Sequence, residues 1–167
     1  MKSLIKYGLA AAMVFATAKA TPALAFPKSF DVCINPATDE ATATGAVKGG
    51  FVTAAANIYE GGTIPSGGGP ADCSGIKNPV IGTFYANVGV EAGQLPAATD
   101  VLAFVTWQFD LSPNGTFVTV GTVPLSAAVG QKYIQTMSGA SGPFPNRGKA
   151  TVTDLSADGN QFRIRLP

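Results

Sequence analysis

The chain has 167 residues, of which 46% are hydrophobic and only 13% charged, with a net charge of +1 and no histidine. A charge content of about half the usual share excludes a charge-driven disordered segment, and the near-neutral balance gives no basic field for nucleic acid. Without histidine there is no Ser-His-Asp triad, no Cys-His dyad and no imidazole metal site.

In chain order, the first element is a targeting segment. Lys2 and Lys6 form a positive start, Tyr7 to Ala16 is an apolar run, and small residues end in Ala23-Leu24-Ala25. That order reads as a secretory signal cut after Ala25, with Ala18-Lys19-Ala20 as a second possible cut. The run is too short for a bilayer, which needs about 20 residues, and no later apolar run approaches that length, so no membrane span is expected. Cleavage removes Lys2, Lys6 and Lys19 and leaves a chain of net negative charge, a single domain over residues 26–167. An exported chain, secreted or periplasmic, meets an oxidising compartment, so Cys33 and Cys73 are expected to pair. The alternatives are a free thiol or a metal ligand, but no third cysteine or histidine completes a metal site.

The rest alternates short apolar runs with Gly, Pro, Asn and Asp, an all-β pattern. The expected strands are Phe30–Ile34, Phe51–Tyr59, Val80–Val90, Val101–Leu111, Thr116–Val123, Lys132–Met137, Lys149–Leu155 and Gln161–Leu166. Asn114-Gly115 and Asp158-Gly159-Asn160 are hairpin turns, so the later strands form an antiparallel meander. The Asn114-Gly115-Thr116 sequon is explained by that turn without a sugar. Residues 35–50 and 60–78 read as long loops, the second rich in glycine and proline, and a Cys33–Cys73 bond ties them together. Val101, Ala103, Val105, Trp107, Phe109 and Leu111 give one dry strand face, and the opposite face is mixed, which suits a barrel wall. In the last strand Phe162, Ile164 and Leu166 oppose Gln161, Arg163 and Arg165.

From Gly82 onward the chain resembles the dirigent and allene oxide cyclase barrel superfamily. The resemblance rests on Gly82-Thr-Phe-Tyr85, Phe104-Val-Thr-Trp-Gln-Phe109, Asn114-Gly-Thr-Phe117 and Gly139-Ala-Ser-Gly-Pro-Phe-Pro-Asn-Arg-Gly148, in the family's order. Phe84 stands where the family's tyrosine is expected, and Tyr85 follows it. The resemblance implies an eight-stranded antiparallel β-barrel with an open mouth, assembled as a homodimer or homotrimer. It implies a small hydrophobic or phenolic ligand whose cyclisation or coupling is guided without a cofactor. It also implies Arg147 as an anion-binding catalytic group and Tyr85 as a proton donor, with Trp107, Phe109, Phe84 and Phe144 lining the site.

Each of these has a plainer reading. Arg147 can anchor a loop, Tyr85 can be a wall aromatic, and Trp107 and Phe109 can be core. Glu60, Glu91, Asp100 and Asp110 flank strands where barrel mouths form, and are the remaining candidates for a general base. No acidic cluster has calcium-loop spacing and Gly67-Gly-Gly69 is no phosphate loop. Three functions stay open: a cyclase or coupling guide, a non-catalytic binder, and a surface or structural protein with a filled barrel.

Overall fold

The computed structural model describes residues 26–38, 40–43, 51–90, 102–124 and 128–167. It contains β1 (Ser29–Cys33), β2 (Glu40–Ala43), β3 (Phe51–Glu60), β4 (Gly82–Val90), β5 (Leu102–Asp110), β6 (Thr116–Pro124), β7 (Lys132–Ala140), β8 (Lys149–Asp154) and β9 (Gln161–Arg165). All pairings are antiparallel, and the order is β1-β9-β8-β7-β6-β5-β4-β3-β2. β1 also pairs with β3, which closes the sheet into a barrel with eight wall positions. β1 and β2 share one position, lying on the same edge of β3 at opposite ends.

The expected strands are all present, with ends shifted by a few residues. One element was not expected. β2 forms inside the stretch read as a loop over residues 35–50, because an edge of β3 beyond the end of β1 takes it up as a partner. Its composition is too small and too polar to announce a strand; the neighbouring edge supplies the reason for it. The signal-like residues 1–25, and the candidates Glu91 and Asp100, lie outside the described residues.

Strand parity follows the hydrophobic alternation. Val105, Trp107, Phe109, Phe162 and Ile164 all point inward and are buried. The connection between β5 and β6 is a tight hairpin whose Leu111 amide bonds the Gly115 carbonyl. Gly115 has φ 125°, a conformation open to glycine, and a Cβ there would meet the Ser141 carbonyl at 2.6 Å.

Aromatic rings fill the centre of the barrel in a continuous series. Phe26 packs on Phe144, Phe144 on Phe117, and Phe117 stacks on Phe109 at 4.4 Å. Phe109 meets Phe84, which meets both Phe162 and Trp107, and the last two stack at 4.7 Å.

A second, smaller core lies outside the barrel. The glycine-rich segment after β3 folds back over the outer faces of β1, β3 and β9. It buries Cys33, Tyr59, Ile64 and Leu155 beneath it, and Cys33 is bonded to Cys73. The expected pairing is therefore present, and it is consistent with an oxidising, extracytoplasmic compartment. Among the described residues no helix is long and apolar enough to cross a membrane.

Asp31, wholly buried on the outer face of β1, fastens this arrangement. It accepts two hydrogen bonds from Arg163 of β9, at 2.6 and 2.9 Å, and two more from the backbone amides of Gly62 and Ile64. Removing the carboxylate would leave the half-buried guanidinium and both amides without it. Asp31→Ala is expected to cost about 3 kcal/mol, read as a lower urea midpoint, with faster amide exchange at Ile64 than in the strands.

Candidate functional site

Two regions of the barrel carry chemistry beyond packing. The first is its lower mouth, where the connections after β3, β5 and β7 meet the start of β1 and the end of β9. A cavity of about 240 Å³ opens here, lined by Phe26, Pro27, Phe30, Ile81, Leu111 and Phe144, with Glu60 and Asn114 as its polar members. Glu60 pairs in register with Phe30, so its side chain leaves the inner face of β3 at the rim and stays exposed. A similar hollow lies across the Phe26–Phe144 contact, bounded by Lys28, Pro143, Pro145 and Leu166.

The sequence candidates divide between inside and outside. Trp107, Phe109, Phe84 and Phe144 face inward, as lining residues must. Only Phe144 borders the mouth cavity; the other three fill the barrel centre against one another. Tyr85 stands on the outer wall with 43% of its surface exposed, because Phe84 and Ala86 take the inward positions of β4. Its phenol does not face the interior. Arg147 is exposed in the connection between β7 and β8 and lines neither hollow at the mouth. Asp110 faces outward at the end of β5, where bonds from the Ser112 hydroxyl and amide hold its carboxyl below the usual range. Arg163 is drawn to Asp31 and Arg165 is exposed, so neither lies beneath a cavity.

The second region was not anticipated. A polar stripe runs along the inner faces of β6, β7 and β8, beside the stacked pair of Trp107 and Phe162, whose register partners are Thr119 and Asp154. It comprises Thr119, Gln135, Tyr133 and Asp154. Thr119 and Gln135 are fully buried, and Thr119 Oγ1 and Gln135 Oε1 have no hydrogen-bond partner. The Gln135 amide nitrogen faces the Thr122 carbonyl at 3.4 Å, which fixes the oxygen as the unpartnered end. Gly121 gives the amide its place, since a Cβ there would stand 2.8 Å from Oε1. The Tyr133 hydroxyl donates to Asp154 Oδ1 at 3.2 Å, and the Tyr133 ring packs edge-on against Trp107.

Burial sets the electrostatics of this stripe. It pushes the Asp154 carboxyl up to about 6, and the bond from Tyr133 only partly offsets it. Burial also raises the Tyr133 phenol, with the nearby Asp154 charge adding to the effect. The signal for the stripe was present in the sequence: Tyr133, Gln135 and Met137 alternate along one face of a strand. A polar residue between two apolar ones gives no hint that all three point inward.

Among the described residues no cluster of acidic and cysteine side chains has the makings of a metal site. No protein-family profile matches the chain, and no curated protein matches it.

The raised carboxyl predicts a pH dependence. Native Asp154 titrates near 6 and the unfolded residue near 3.8, so between these values the native state holds more protons. The Asp154 contribution to stability therefore falls as pH rises through that window, and the loss is complete above about 6. Urea midpoints measured from about pH 4 to about pH 7 should show this decline, and Asp154→Asn should flatten it.

Proposed function

We propose that the protein is exported and binds a small apolar molecule at its lower mouth, without chemical turnover. The mouth cavity carries this reading. Its wall is aromatic and aliphatic, its volume of about 240 Å³ suits a molecule near the size of a single aromatic ring, and its polar groups sit at the edge. Pockets built this way hold a ligand by removing apolar surface from water, with a few polar groups to orient it.

Guided cyclisation or coupling, the role implied by the dirigent-like resemblance, would call for acid and base groups converging on the ligand. Arg147 and Tyr85 do not converge here, and Glu60 is the one carboxylate in the lining. Binding is thus the better-supported role. The Cys33–Cys73 bond and the signal-like start of the sequence support export.

Thermal-shift and NMR titration with benzene-sized apolar compounds test the reading. Binding should shift the Asn114 side-chain amide resonance, and Ile81→Trp, which fills the cavity, should weaken affinity at least about tenfold while the fold is retained. A flat response across the panel would favour a structural protein with a filled barrel.

A further inference from the structure

The outer wall of the barrel is covered unevenly. The glycine-rich segment after β3 lies over one sector and buries Tyr59 and Leu155 there. The opposite sector, made by β4, β5, β6 and β7, carries large apolar side chains in the open. Phe104 is 55% exposed and Ile134 50%, with Tyr85 on the same face. Two of these belong to one group. Thr106 of β5 and Thr136 of β7 both pair in register with Val120 of β6. Phe104 and Ile134 each lie two residues before those threonines, so they meet Val120 diagonally from either side, an apolar trio across three strands.

Charge is confined to two ends of this sector. Among the residues of β4 to β7, Asp110 at the end of β5 and Lys132 at the start of β7 are the only charged ones. Both point outward, on either side of β6 and at opposite ends of the face. The polar side chains between them, Asn87, Thr106, Gln108, Thr122 and Thr136, are amides and hydroxyls that both donate and accept. A face of this kind is complementary to itself and offers nothing to hold a nucleic acid or an anionic membrane. Its ends are self-complementary too. A two-fold axis lying across the strands sets Asp110 of each copy against Lys132 of the other.

The size is adequate. Four strands about 4.8 Å apart, each nine residues long at about 3.3 Å per residue, present on the order of 600 Å². Specific interfaces begin at about 600 Å² per partner, which points to a reversible dimer of roughly micromolar affinity.

We propose that the outer face of β4 to β7 is an isologous interface between two copies of this chain. Phe104, Val120 and Ile134 lie at its centre, and two Asp110–Lys132 pairs close its ends. The chain covers one sector of its wall with its own segment, and a second copy covers the opposite one. The interface does not depend on what the mouth binds.

Sedimentation of the protein from about 1 µM to about 1 mM should show a concentration-dependent dimer. Phe104→Glu and Ile134→Glu each set a charge at the centre and should weaken association at least about tenfold. Lys132→Glu sets like charges at both ends and should weaken it about threefold or more at low salt, and adding Asp110→Lys should restore it. Arg165→Glu, at an exposed position on the far wall, should change nothing. Asp110 also holds Ser112, so if the double variant folds poorly the single variants decide alone. A monomer throughout, a trimer, or a dimer indifferent to Phe104→Glu, Ile134→Glu or Lys132→Glu would each overturn the proposal.

Discussion

The closure of this barrel depends on one buried carboxylate. β1 is short, yet it must hold β9 on one side and β3 on the other. Five paired positions on the β9 edge and four on the β3 edge make a weak seam for a barrel whose other walls are up to ten residues long. Asp31 reinforces it from outside by binding the Arg163 fork and two amides of the segment that leaves β3. A charge this deeply buried is tolerated because its acceptor capacity is met by donors fixed in the fold. The disulfide from Cys33, two residues along, holds the far part of the same segment against the wall. The glycine-rich stretch is thus a strap across the seam.

The aromatic series imposes the next constraint. Rings from Phe144 through Phe84 to Trp107 occupy the barrel axis, so the interior is not one continuous chamber. Apolar space survives below the series, where Phe26 and Pro27 cross the mouth. Polar groups stand beside its Trp107 end, on β6 to β8.

The fold was largely legible because the sequence alternates cleanly. The odd positions of residues 103–111 and the even positions of residues 162–166 mark the inner face, and both face inward. The disulfide was legible from the compartment and the count of two. β2 was not, because its pairing is decided by a vacant stretch of the β3 edge rather than by its own residues. The strap was read as a loop, but not as a cover, since nothing local in Gly67-Gly-Gly69 says that Gln161 will bind Gly69 and Pro70. The candidate sites were the least legible. Tyr85 and Arg147 came from motif order, and a shift of one residue along a strand reverses the face a side chain presents. Phe84, beside Tyr85, took the inward position.

Gln135 and Gln161 make the sharpest internal comparison. Both are glutamines with almost no exposed surface. Gln161 lies under the strap, and its amide is met at both ends by the backbone of Gly69 and Pro70. Gln135 lies inside the barrel, with a long contact on one side and nothing on the other. The same chain thus satisfies a buried amide where the amide holds the structure together, and leaves one open where the wall faces inward. A leucine at 135 would remove the burial cost, because an apolar side chain of similar size leaves no orphan. The unpartnered amide oxygen works against stability.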